Sequence, residues 1–179
     1  QLLVATVLSA QCTDERVNKV TPVLFEKYPD ANVMARAKVA DVEKIIMSTG
    51  FFRVKAKNIV KASQILVEKF EGDVPQDKSE LVKLPGVGTK TANVVLGTAF
   101  GIASGVVVDT HVSRLSQRMG LTKFKKPQDI EKDLEKKIAK KDWIEFSHLL
   151  ILHGRKTCKA RNHDCAKCFL QEICPQTIS

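Results

Sequence analysis

LPGVGTKTANVV, Leu84 to Val95, places two glycines one residue apart and a lysine two residues later, in a chain that otherwise reads as amphipathic helices. Pro85 closes whatever helix precedes it, because its ring removes a donor and restricts the residue before it. Gly86 and Gly88 permit positive φ and keep side chains away from the backbone. The stretch therefore predicts a short helix, a tight turn and a second helix, with N–H groups gathered at a helix N-terminus. Such a site attracts phosphate. A plain helical hairpin turn explains one glycine; the second, in a basic chain, favours contact with a nucleic-acid backbone, which positions a protein without reading sequence.

On either side the pattern stays helical. Gln1 to Ala10 is apolar almost all round, the mark of a short helix buried on most faces. Thr13 is placed to cap DERVNKV, where Val17, Val20 and Leu24 keep helical spacing and Pro22 is expected to kink or restart the helix. Val39 to Met47 is a short amphipathic piece stopped by Gly50, and from about Arg53 to Phe70 the residues Ile59, Ala62, Leu66 and Phe70 mark one buried stripe. Asp77 and Glu80 form a capping-box pattern ahead of LVKL. Thr91 to Phe100 resumes a helix, GIASGVVVD connects, and Asp109 opens THVSRLSQRM. In PQDIEKDLEKKIAKK one face carries Ile130, Leu134 and Ile138 and the other a solvated row of lysines. Trp143 to Leu152 is apolar enough to run through a core. With no strand alternation and no internal repeat, the expected fold is all-α.

A length of 179 residues with 44% apolar content supports one substantial core or two small ones. Lys and Arg number 29 against 20 Asp and Glu, a formal charge of +9, which favours a polyanionic partner and also serves solubility. No apolar run reaches membrane-span length and QLLVATVLSA lacks the basic region of a secretory leader, so no membrane association and a cytoplasmic setting are expected.

Lys90 falls in the first turn of the second helix, where the helix dipole disfavours a cation. A lysine is a nucleophile only when neutral, and at an ordinary pKa of about 10.4 roughly one in a thousand is neutral near pH 7.4. A helix N-terminus, partial burial and neighbouring cations are the influences that raise that fraction. The plainer reading of Lys90 is an exposed lysine near phosphate. Asp109 likewise has two readings, a helix N-cap and a catalytic carboxylate.

Four of the five cysteines, Cys158, Cys165, Cys168 and Cys174, lie at intervals of six, two and five residues; Cys12 stands apart among apolar residues. Crowding without an export signal argues for metal ligation over disulfides. Structural zinc usually pairs two short knuckles and only Cys165 with Cys168 makes one, so an iron-sulfur cubane suits the set better, with zinc as the rival. Lys159 and Arg161, in the loop between the first two thiols, could touch phosphate.

Taken together and in order, LPGVGTKTANVV, VDTHVSR, LILHGR and the six-two-five cysteines resemble the endonuclease III family over nearly the whole chain. The resemblance implies a two-lobed helix-hairpin-helix DNA glycosylase fold with a C-terminal iron-sulfur cluster loop. The lobes would be residues 1–105, holding the hairpin at about 78–100, and 106–179, a cluster lobe that relatives complete with a segment ahead of the position of Gln1. It implies a bifunctional glycosylase and abasic-site lyase of base excision repair, a monomer acting on oxidised pyrimidines and abasic sites in duplex DNA, and nucleoid-associated in a prokaryote. Lys90 would attack C1′, Asp109 would be the catalytic carboxylate, and the four cysteines would hold a 4Fe-4S cluster. Gly86, Val87 and Gly88 would meet the DNA backbone, with Lys159 and Arg161 as further contacts. Gln11 and Phe51 would fill the stack left by the extruded base, Phe51 standing where a leucine is common; the plainer reading of Phe51 is a core aromatic beside Gly50. His111 would line the base pocket or be satisfied locally. The cysteine loop reads RNHD where relatives are often more basic. The rival readings are a non-catalytic DNA-binding module with a structural or redox-sensing metal site, and a monofunctional relative such as an adenine-mismatch glycosylase. The latter uses an acid where this chain has Val7 and lacks the lysine.

Overall fold

The computed structural model describes residues 1–161 and 163–175, and among them are ten α-helices, three single 3₁₀ turns and no strand. This is the all-α architecture read from the pattern. The chain divides into two compact units, Gln1–Phe100 and Gly101–Ser179. Among the described residues no helix is long and apolar enough to cross a membrane.

The first unit contains α1 (Leu2–Ser9), α2 (Asp14–Lys27), α3 (Ala31–Ala35), α4 (Val39–Ile46), α5 (Phe52–Phe70), α6 (Lys78–Leu81) and α7 (Thr89–Phe100). Thr13 caps α2 by accepting from the Arg16 N–H at 3.3 Å. Pro22 neither ends nor restarts α2, which is continuous to Lys27. The carbonyl that loses its partner belongs to Asn18, and both residues are exposed, so it stays open to solvent. The buried stripe of α5 is Ala56, Ile59, Val60, Ala62 and Leu66, against which α3 and α4 pack. Burying one Ile or Leu is worth about 2 kcal/mol, more than any exposed lysine-carboxylate pair supplies. That stripe is what holds the helix. Phe70 is only half-buried, at the end where Glu71 turns left-handed and the Gly72 N–H reaches back to the Leu66 carbonyl at 2.9 Å.

The second unit starts with an extended connection in which Val106 and Val108 enter the core, followed by α8 (Thr110–Arg118), α9 (Pro127–Lys137) and α10 (Trp143–Lys156). Val112, Leu115, Ile130, Leu134 and Leu150 complete that core. Trp143 to Leu152 meets this core along one face only: Leu150 is buried in it and Trp143, Phe146 and Ile151 pack against it, while Leu149 and Leu152 are 57% and 49% exposed. The segment carries apolar residues on more than one face, and one of them joins the core that Leu115, Ile130 and Leu134 share.

Candidate active site

The hairpin forms as read, with α7 beginning at Thr89, directly after the second glycine. Asp77 caps α6 by accepting from the Ser79 and Glu80 N–H groups at 2.6 and 3.2 Å, and the Ser79 hydroxyl, which also donates to it, together with these bonds holds its carboxyl below the ordinary carboxylate range. Glu80 does not return the bond of a capping box; its carboxylate takes the Lys83 ammonium at 2.6 Å. The glycines divide their work. Gly86 alone takes positive φ, +80°, and a Cβ there would come within 3.1 Å of the Asn58 side chain. Gly88 needs no special φ, and a Cβ there would meet nothing within 4 Å. Its bareness leaves room on the outside of the turn. Val87 is buried and its N–H donates to the Leu84 carbonyl at 3.1 Å, so it holds the turn from within. The first α7 bond runs from the Ala92 N–H to the Gly88 carbonyl at 2.9 Å, and the preceding N–H groups therefore lack intrahelical acceptors. Lys90 stands among them, exposed rather than partly buried.

Asp109 is placed by the connection before it. Val106 and Val108 anchor this strand-like stretch, the Val107 N–H donates to Ser147 Oγ at 3.0 Å, and that buried hydroxyl donates to the Trp143 carbonyl at 2.7 Å. Asp109 then caps α8, its Oδ1 accepting from the Val112 N–H at 2.8 Å. The cap uses one carboxylate oxygen and leaves Oδ2 for other work; capping and catalysis are compatible. His111 lies with its Nδ1 3.4 Å from an Arg114 nitrogen and its ring beside Gly154, where an added Cβ would sit 2.8 Å away.

Cys158, Cys165, Cys168 and Cys174 are all half-buried free thiols lining one cavity with His153 and Leu170. Four soft thiol donors around one apolar cavity have the chemistry of a thiolate-held metal centre. Two arginines of α8 hold this loop: Arg114 donates to the Gly154 and Cys158 carbonyls at 3.1 and 2.8 Å, and Arg118 to the Cys158 sulfur at 3.4 Å and the Lys159 carbonyl at 2.9 Å. Burial lowers the pKa of Arg114 from its ordinary value, with neighbouring Arg118 adding to that. Lys159 and Arg161 are exposed; Asn162 of the RNHD stretch lies outside the described residues.

Gln11 and Phe51 are both exposed and both left-handed, at φ 51° and 47°. Phe51, 67% exposed, is not a core aromatic. Three cations escaped sequence reasoning: Arg114 and Arg118, whose spacing of four put them on one face of α8, and Lys55, which is 6% exposed in the first unit. Lys55 lies four residues before Ile59, on the α5 stripe itself, and that spacing was the available signal.

The sequence pattern of the HhH-GPD superfamily of base excision DNA repair proteins matches residues 4–140. Endonuclease III of Synechocystis is 61% identical over 175 residues, covering 98% of this chain and 80% of that protein. A solved non-covalent endonuclease III–DNA complex and a solved trapped covalent endonuclease III–DNA intermediate each superpose with a TM-score of 0.90 at 46% identity, over 98% of this chain and 82% of theirs.

Proposed function

Since this chain belongs to the HhH-GPD superfamily and, within it, to the endonuclease III family, we propose residue roles for an enzyme whose activity that membership establishes. It is a bifunctional DNA glycosylase and abasic-site lyase of base excision repair, and DNA is its substrate. The roles of Lys90 and Asp109, the choice of oxidised pyrimidines and the 4Fe-4S cluster are our proposals.

One observation carries the assignment: an exposed lysine in the first turn of α7, beside a glycine whose outer side is empty. The backbone N–H groups at that turn bind a phosphate of the damaged strand, which brings the adjacent sugar toward the Lys90 amine. Extruding the base costs a few kcal/mol, least for a lesion that stacks poorly, and this favours oxidised pyrimidines, whose saturated or distorted rings stack badly. Lys90 Nζ attacks C1′; the C1′–N bond breaks and the base leaves with its electron pair, taking a proton. The amine loses a proton as the sugar ring opens to an imine. Loss of a C2′ proton then expels the 3′ phosphate by β-elimination, and water releases the amine. Asp109 steadies positive charge developing on the sugar and carries protons in these steps.

Cys158, Cys165, Cys168 and Cys174 would hold the 4Fe-4S cluster, which when bound supplies four covalent anchors for the loop that carries Lys159 and Arg161. Arg114 and Arg118 orient that loop from the protein side.

The test is borohydride trapping on an abasic duplex. The wild-type protein should form a covalent adduct and Lys90→Gln should form none; an undiminished adduct in the variant would remove Lys90 as the nucleophile.

A further inference from the structure

The buried ammonium of Lys55 has no part in the steps above. Its Nζ donates to the Leu8 carbonyl near the end of α1 and to the Thr49 carbonyl just before Gly50, both at 2.8 Å. Leu8 and Thr49 are themselves almost fully buried, at 0% and 1% exposure. The Lys55 N–H also donates to the Phe51 carbonyl at 3.0 Å. One residue thus ties together three chain segments: the end of α1, the turn before α5, and α5 itself.

Those two segments lead directly into the two unusual backbone positions of the unit. Gln11 follows Leu8 by three residues, Phe51 follows Thr49 by two, and each is a non-glycine residue in the left-handed region. The third such residue, Glu71, is an ordinary helix C-cap. Gln11 is the third residue of a turn that the Cys12 N–H closes on the Ser9 carbonyl at 3.2 Å, a position where glycine is usual, and Phe51 stands directly before α5 with no side-chain cap bond. Left-handed backbone at a non-glycine residue costs about 1 kcal/mol or more and persists only where the surroundings over-determine it. The two loops also meet, since a Cβ on Gly50 would lie 3.9 Å from the Gln11 carbonyl. Burying an ammonium is costly, and Lys55 shows that cost as a pKa lowered by desolvation, opposed only by the nearby Cys12. A methionine-like chain would fill the same space without that penalty. The charge is therefore explained by the two carbonyls it holds.

We propose that Lys55 is a positioning residue for base extrusion: by joining Leu8 to Thr49 it fixes Gln11 and Phe51 side by side as a rigid two-pronged wedge. This rests on reading Gln11 and Phe51 as the residues that fill the vacated stack. Without the ammonium the two loops move independently, and the wedge must be ordered anew at each encounter with a lesion.

The experiment uses the full chain and three readouts. Fluorescence of 2-aminopurine opposite the lesion reports unstacking on binding; single-turnover base release reports excision from duplex; β-elimination on a single-stranded abasic oligonucleotide reports the chemistry without a stack to invade. In Lys55→Met, which keeps the length of the chain and loses the donors, unstacking and duplex excision should fall by about tenfold. Elimination on the single strand should stay within about twofold. Lys55→Arg should recover most of the loss. In a Gln11→Ala, Phe51→Ala background Lys55→Met should cost nothing further, because the group it acts through is gone. Equal losses in all three readouts would reduce Lys55 to a stabiliser of the fold. A reduction in unstacking by the Gln11→Ala, Phe51→Ala pair with none from Lys55→Met would overturn the positioning role and leave the wedge intact. Normal unstacking in the Gln11→Ala, Phe51→Ala pair would instead overturn the wedge reading itself. Should Lys55→Met not fold, Lys55→Gln, which keeps one amide donor pair, is measured against the same outcomes.

Discussion

Asp109 caps α8 with one carboxylate oxygen and is proposed to act in catalysis as well, and substitutions can separate the two roles. Asparagine caps a helix about as well as aspartate, whereas alanine forfeits the bond to the Val112 N–H and costs about 1 kcal/mol. Asp109→Asn should therefore melt near the wild-type temperature and bind abasic duplex normally, while turnover falls by about a hundredfold or more. Asp109→Ala should show the same loss of turnover together with a lowered Tm. Calorimetry and single-turnover assays on both variants check this, and full turnover in the asparagine variant would return Asp109 to capping alone. At this scale the sequence is readable wherever a residue acts through its neighbours in the chain. Thr13 and Asp109 show their capping roles by position, and the hairpin glycines by spacing. Lys55 does not, because its partners lie 47 and 6 residues away and nothing local distinguishes a buried lysine from a solvated one. Its place on the Ile59 stripe was the one trace it left.

Among the elements, the hairpin turn is where composition most directly becomes function, and its two glycines make opposite predictions. Gly86→Ala puts a Cβ into the left-handed region and against Asn58, so it should destabilise the protein by about 1–3 kcal/mol, seen as a drop in Tm. Gly88→Ser meets no protein atom and supplies a good helix cap. Its Tm should be unchanged or raised while its affinity for abasic duplex falls, because the new side chain occupies the space proposed for the phosphate. Undiminished affinity in Gly88→Ser would place the phosphate elsewhere. The first helix of the hairpin is only four residues long and depends on its cap. The Asp77 carboxyl sits below its ordinary pKa of 3.8 through bonds from Ser79 and Glu80. The folded state therefore releases the proton more readily than the unfolded chain does, and this stabilisation is complete above the ordinary value and fades as pH falls through the lowered one. The Tm difference between wild type and Asp77→Ala should be constant from about pH 7 to pH 5 and shrink below 3.8. A difference that persists unchanged in acid would mean that the charge is not what caps the helix. By contrast, the apolar content of α10 did not tell which of its faces is buried, because burial depends on which faces find a partner.

Across the whole molecule, the all-α class and the order of motifs were legible because helical periodicity and glycine punctuation are local signals. How the cysteine loop is held was not, since Arg114 and Arg118 reach it from α8, 40 and more residues away. That loop buries little of its own: Phe169 and Ile173 are 79% and 80% exposed. Its ordering rests on short-range bonds, such as the Cys158 N–H to the His153 carbonyl at 2.8 Å and the Cys174 N–H to the Leu170 carbonyl at 2.9 Å, and on the two arginines. The apolar core of the same unit, from Val106 to Leu150, is made chiefly by α8, α9 and α10. These are two kinds of stability, and removing the iron of the proposed cluster should split them. Metal that binds only the folded loop contributes its binding free energy to that loop, so hydrogen exchange on iron-depleted protein should show protection lost at Cys158, Cys168 and Cys174. Amides within α8 and α9, shielded by Leu115, Ile130 and Leu134, should keep most of theirs. The first unit should exchange as before. Simultaneous loss of protection in α8, α9 and the loop would show instead that the second unit folds only around the metal, and would move the four cysteines from loop anchors to the centre of its stability.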